Sequence, residues 1–265
     1  MRNRINQRLH LWVLGILSAG IVLAAVIMQP IPQPVEYHQF VDQRIYFGIP
    51  NFFDVTSNVF LLLVGLAGLA LLMRQQELLV NRVFIEPSER WPYFIIFSCA
   101  IIACFSSIYY HLEPDNTRLA WDRLPIAIGI TTLLAIMLIE RININIGFRL
   151  LPFLIAIGVG SVIYWYWSEQ KGVGNLNFYI IVQFYSPLAM ILIGSFFSSR
   201  YTRSSDIYMA IVLYVIAKIA ELLDREIYSL GQMISGHTLK HLFAGLAVYW
   251  ILRMLQKRRP LSIVV

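Results

Sequence analysis

The sequence predicts an all-α polytopic membrane protein, built as a seven-helix transmembrane bundle with one additional N-terminal transmembrane helix. Three observations carry that expectation. Hydrophobic residues make up 58% of the chain and charged residues only 14%, whereas a soluble domain carries about 25% charged residues. The apolar residues fall in long runs, each near the ~20 helical residues that span a bilayer core. The basic residues sort by loop in a way that only an even number of crossings explains. The runs are too continuous for the alternating strands of a membrane β-barrel.

Eight spans are expected, at roughly 10–28, 54–73, 92–111, 123–140, 150–167, 178–198, 206–224 and 237–256. The first has the basic start and apolar run of a secretory signal. It is long for one, and Met28-Gln29-Pro30 offers no small-residue cleavage site. It reads as a retained anchor. The chain therefore divides into an N-terminal segment with its extra helix and linker (1–35), a seven-helix membrane domain (36–256) and a basic tail (257–265).

Net charge is +6. Arg2, Arg4 and Arg8 precede the first span, and Arg74, Arg82 and Arg90 follow the second. Arg141 and Arg149 follow the fourth, Arg200 and Arg203 the sixth, and Lys257, Arg258 and Arg259 the eighth. All fall on one side, which the positive-inside rule makes cytoplasmic, with both termini there. The other side holds most of the acids, among them Glu36, Asp42, Asp54, Glu113, Asp115, Asp122, Glu169, Glu221, Asp224 and Glu226. The basic balance is thus topology. It implies a lipid bilayer as partner and no nucleic acid. Cys99 and Cys104, five apart in the third span, point in different directions and read as small core residues.

After the first span, Pro30, Pro32 and Pro34 enforce an extended exit. The stretch from Tyr37 to Asn58 reads as a polar, aromatic-laced collar. Asp54, Ser57 and Asn58 enter the second span at i, i+3, i+4 spacing, a polar stripe that should face the protein interior. Ser107 and His111 share a face at the end of the third span, followed by a turn over 112–121. Asp122 is expected near the start of the fourth span, where the helix dipole favours a carboxylate. Pro125 is expected in its first turn. Spans four to six carry few ionisable residues and read as scaffold and walls for an apolar ligand, with Trp165, Tyr166 and Trp167 as an aromatic belt. In the seventh span, Lys218, Glu221, Asp224 and Arg225 recur on one face. They form either an ion pair or support for a polar site.

With the topology set, the unusual polar residues lie at one depth. His111, Asp122, Glu221, Asp224, His237, His241, Asp54, Ser57 and Asn58 all sit near the non-cytoplasmic ends of their spans. His237 and His241 are one helical turn apart and share a face. Two histidines at that spacing are a weak signal alone. A third from another helix at matching depth suggests zinc, whose catalytic sites take three protein ligands and leave a fourth position open.

Ser107-xxx-His111, then Asp122 eleven residues on, then Gly236-His237-xxx-Lys240-His241 resemble the alkaline ceramidase family. That family lies within a larger superfamily of seven-helix membrane hydrolases that includes the adiponectin-type receptors. Ser57-Asn58 also matches, and the resemblance covers about residues 40–256. It implies that His111, His237 and His241 bind zinc, that Asp122 serves as base and proton shuttle, and that Ser107 positions water or stabilises the oxyanion. It implies cleavage of the amide of ceramide-like membrane lipids. Asn58, Ser57, Asp54, Glu221, Asp224 and Lys240 would support the ligands or touch substrate. Animal members carry an acid-rich calcium site before the first core helix. Here Asn51 stands where an acid is expected, leaving Asp42 and Asp54 as candidate calcium ligands. The stretch is closer to a bacterial branch, which implies a bacterial inner membrane. Two other function classes stay open: a non-enzymatic lipid receptor of the same superfamily, and a transporter or retinal-type pump. Lys240 lies near the start of its helix instead of mid-membrane, which disfavours a pump. It reads as a snorkelling or phosphate-contacting lysine.

Overall fold

The computed structural model describes residues 2–74 and 83–261. Arg82, the side chains of residues 2–6 and the last four residues of the tail lie outside the described residues. Among the described residues the regular structure is helical, and the chain is an all-α polytopic membrane protein. The long helices are α1 (Arg2–Ile27), α3 (Val59–Met73), α4 (Arg90–Leu112), α5 (Asn116–Arg141), α6 (Ile144–Gln170), α7 (Asn177–Phe196), α8 (Asp206–Leu222) and α10 (Gly236–Lys257). Two short helices complete them: α2 (Phe52–Ser57), which leads into α3 through Asn58, and α9 (Asp224–Ser229).

Among the described residues, six helical stretches are long and apolar enough to cross a membrane: Gln7–Ile27, Phe52–Met73, Pro87–Leu112, Asn116–Arg141, Ile144–Gln170 and Asn177–Phe196. The other two expected spans, α8 and α10, are not among the six. The cause is visible in their residues. Helix α8 has 17 residues and carries Lys218 and Glu221, and α10 opens on His237, Lys240 and His241. Helix α8 falls short in length, and α10 through the polar residues at its start.

The chain forms two compact units. One comprises residues 35–129 and 201–265, the other 1–34 and 130–200. In the first, α10 packs against α8, α3 and α2, and α3 packs against α4. Small residues permit these contacts, as between membrane helices generally. A Cβ on Gly68 would stand 2.2 Å from the ring of Phe97 on α4. Ala100, Ala103 and Cys104 of α4 form a core with Leu61. Cys99 and Cys104 are buried free thiols. At the far end of α10, Arg258 is 2% exposed. Its guanidinium lies 4.3 to 4.9 Å from the rings of Tyr201, Phe84 and Tyr93 and donates to Tyr93 Oη at 2.8 Å. The first residue beyond the helix is therefore held in an aromatic box, although the sequence suggests a simple basic tail.

In the second unit, α1 packs on α7, and α6 on α7. His10 stacks on Phe196, and Ser18 shares a hydrogen bond with Tyr185. The proline-rich exit is pinned: Leu176 N donates to Ile31 O at 2.8 Å, and Gln33 N donates to Glu169 Oε1 at 2.7 Å. Trp165 donates its indole N–H to the same carboxylate and is wholly buried, whereas Trp167 is exposed. The expected aromatic belt thus loses Trp165 to the interior, because Glu169 one turn away satisfies its polar edge.

Helix α5 begins earlier than expected. Asp115 caps it, accepting from Arg118 N at 2.7 Å and, through its carbonyl, from Leu119 N. The turn shrinks to the residues around Pro114. Pro125 therefore lies inside the helix, and Asp122 lies in its second turn instead of at its mouth.

The contact that positions the site is Gly236. A Cβ there would stand 2.1 Å from Ala220 O and 2.7 Å from Asp224 Cα, both backbone atoms that cannot step aside. Gly236→Ala should destabilise the protein by ~1–3 kcal/mol, the usual penalty for overpacking. Gly231→Ala, with nothing within 4 Å of its Cβ, should be silent. Thermal unfolding of both variants in detergent checks this, and equal midpoints would contradict the packing.

Candidate metal centre

The start of α10 is built by side chains from three neighbouring segments. Ser235 caps the helix, its Oγ accepting from Thr238 N at 2.9 Å. Asp224 accepts from His237 N at 2.7 Å. Asp54, from α2, accepts from Thr238 Oγ1 at 2.6 Å and from Ser235 Oγ at 3.1 Å. These groups satisfy amides that a helix start leaves open, and both carboxylates lie at the favourable end of the dipole. Together they set the rotation of α10 and thereby aim His237 and His241.

Those two imidazoles meet His111 from the end of α4. One ligand atom from each of the three lies within 4.8 Å of the others, and all three residues are buried. His111 Nε2 and His241 Nε2 are 3.3 Å apart. Two nitrogens bound at ~2.0–2.1 Å to one tetrahedral zinc stand about 3.3–3.4 Å apart, so the spacing fits. His241 Nδ1 lies 2.8 Å from Ser57 Oγ, and Ser57 donates in turn to Asp54 O. That chain orients the ring and leaves Nε2 with its lone pair toward the cluster. Asn58 supports the same turn by donating to Asp54 O at 2.7 Å. His111 Nδ1 is buried with no hydrogen-bond partner among the described residues. It is the ring nitrogen turned from the Nε2 pair, so a buried water, and not an ion held by Nε2, would satisfy it. The site can hold a metal ion.

Lys240 does not snorkel. Its ammonium turns inward, 2.7 Å from His237 Nε2 and 3.2 Å from Glu221 Oε1. An ammonium in an apolar interior needs a carboxylate partner, and α8 supplies it. Glu221 also takes Lys218 at 2.9 Å and the Tyr37 hydroxyl at 2.7 Å. The Lys218–Glu221 pair of the seventh span therefore exists, and Lys240 links the same carboxylate to His237. Burial and the adjacent Glu221 charge push the Tyr37 hydroxyl above its ordinary range, so it stays a neutral donor. Were His237 to hold a metal through Nε2, Lys240 would have to give up that contact and keep Glu221.

Ser107 and Asp122 are both nearly inaccessible. The Ser107 hydroxyl lies beside the Asp122 carboxyl, whose charged neighbours are Lys240, Arg123 and Glu221. Every predicted site residue thus falls in one unit of the fold, but not in one role. Asp54 and Asp224 hold the end of α10 and do not face the histidines. Asp42 is gripped by Arg44, whose Nε and Nη2 reach its two oxygens at 2.7 and 2.6 Å. The two candidate calcium acids are therefore engaged with different partners, and the potential metal cluster among the described residues is the histidine trio.

Several contributors escaped sequence reasoning. The ring of Phe40 covers the trio, 4.5 Å from His111 and 4.7 Å from His237 between centroids. Asn51 donates to the carbonyl of His111 at 2.8 Å. His38 bridges Tyr110 Oη and Asn116 Oδ1, each at 3.0 Å, and so ties the collar to α4 and α5. Ser235 and Thr238 carry a legible capping signal, a serine just before an apolar helix. Phe40 and Asn51 carry none, because their roles depend on tertiary contact. Compared with family models, curated proteins and solved structures, the chain matches none, so its functional reading rests on the site itself.

Proposed function

We propose that the protein is a zinc-dependent intramembrane amidase that cleaves ceramide-like N-acyl lipids to a sphingoid base and a fatty acid. The observation that supports this most is the convergence of three buried imidazoles in a polytopic membrane protein, one that also carries a carboxyl and a hydroxyl, Asp122 and Ser107, beside one another. An all-imidazole set favours zinc among the common metals of such sites.

A bound zinc supplies a Lewis acid for the amide carbonyl and lowers the pKa of water at the site. The protein's own residues do the rest. Asp122 accepts a proton from the attacking water and returns it to the departing nitrogen. The water oxygen adds to the acyl carbon, the C–N bond breaks, and the products are a fatty acid and an amine. Ser107, with no well-aligned hydrogen-bond partner among the described residues, donates to the oxygen that becomes negative. Ser57 holds His241 in the ligating tautomer. Phe40 excludes bulk water from the covered side of the cluster. In this reading the site opens toward the non-cytoplasmic half of a bacterial inner membrane, both termini are cytoplasmic, and the amide approaches from the lipid.

Purified protein should contain about one zinc per chain by elemental analysis, since three histidines make one site. The His237→Ala, His241→Ala double variant should fall to background, and unchanged zinc would place the metal elsewhere. Removing the Nδ1 partner in Ser57→Ala should weaken zinc binding about 10–100-fold in chelator competition. On a panel of N-acyl lipids, Asp122→Ala should lose about 10²–10⁴-fold of the hydrolysis rate while keeping its zinc. An active Asp122→Ala protein would sink the mechanism. Zinc-loaded wild type that hydrolyses none of the panel would favour a lipid receptor of the same architecture.

A further inference from the structure

Two loop tips in the unit that holds the histidines expose large apolar side chains. In the first, Ile45 is 67% and Phe47 92% exposed. In the second, Leu230 is 86% and Met233 74% exposed. These are connections between helices, where water-facing chain is ordinarily polar and where exposed apolar patches mark an interaction.

The tips are built and braced. Tyr46 and Ile49 close a two-residue turn through paired backbone hydrogen bonds, with Phe47 at φ +54° and Gly48 at φ +78°. Such turns normally take asparagine or aspartate before the glycine, because a bulky residue is strained at positive φ. Here the strained position presents a phenylalanine ring outward. Arg44 then joins the two tips. Its guanidinium is paired with buried Asp42, donates to Met233 O at 2.7 Å, and lies over the rings of Phe53 and Tyr228. Behind the first tip, Tyr46, Phe52 and Phe53 pack ring to ring.

Both tips run directly into the site. Phe52 and Phe53 precede Asp54 on α2, and Met233 and Ile234 precede Ser235, the cap of α10. The first tip also ends just before Phe52–Met73, a stretch long and apolar enough to cross a membrane, on which Leu63 is 59% and Leu66 51% exposed.

We infer that Ile45–Phe47 and Leu230–Ile234, braced by Arg44, form a rim that inserts into the lipid interface at the histidine end of the protein. The occupant is the bilayer surface, and the place of the first tip at the end of the apolar Phe52–Met73 stretch selects it over a protein partner. A rim at that level holds Asp54 and the α10 cap beside the depth at which the polar linkage of a membrane lipid lies. The inference rests on the membrane-spanning fold and stands whether or not the site hydrolyses an amide.

The test is spin-label accessibility in the full-length protein, reconstituted into phosphatidylcholine vesicles. Labels go on Phe47→Cys and Met233→Cys, with Ile45→Cys as a substitute should the strained turn reject the first. Glu226→Cys, exposed on α9, serves as the water-facing reference, and the unmodified protein verifies that buried Cys99 and Cys104 stay unlabelled. The ratio of oxygen to water-soluble nickel-chelate accessibility should be several-fold higher at 47 and 233 than at 226. Equal ratios would place the rim in water and overturn the inference. Exclusion of both probes at 47 and 233 would mean protein covers the rim, and would overturn it equally. Neither result depends on zinc or on catalysis.

Discussion

The architecture depends on how α10 begins. Asp54 binds Ser235 and Thr238, Asp224 binds the His237 amide, and Gly236 lets the helix start press against the backbone of α8. These contacts fix the rotation of one helix to within a hydrogen bond. Because His237 and His241 ride on its first two turns, the same contacts decide whether two imidazoles meet the third on α4. Burying a carboxylate such as Asp54 is costly, and two hydroxyl donors with the helix dipole offset much of that cost.

The same logic governs the charges inside the protein. Glu221 gathers Lys218, Lys240 and Tyr37, so two ammonium groups enter an apolar interior around one carboxylate. Lys240 thereby joins the site at the position that the geometry of α10 dictates, three residues after His237 and on nearly the same face. The collar completes the enclosure: Tyr37 reaches α8, His38 reaches α4 and α5, and Phe40 roofs the histidines.

Much of this was legible in the residues. Apolar run length marks the helices, and the HxxxH spacing with a third histidine, His111, marks the centre. What stayed hidden depends on contacts between segments distant in sequence. Lys240 looked free to snorkel because its partner Glu221 lies on another helix. Trp165 looked like a boundary residue because its exposure turns on one hydrogen bond to Glu169. The early start of α5 was hidden because the proline at 125 drew attention from the Asp115 cap, ten residues upstream. Helix α10 falls short of a plain membrane span because it opens on His237, Lys240 and His241, and α8 because it is 17 residues long.

The central claim is that one metal is held by His111, His237 and His241. X-ray absorption at the zinc edge of the purified, zinc-loaded protein tests it most directly. The account predicts a first shell of about four light atoms, with outer-shell scattering from three imidazole rings near the ~2.0–2.1 Å ligand distance. A sulfur shell, or a shell of oxygens without imidazole scattering, would contradict it.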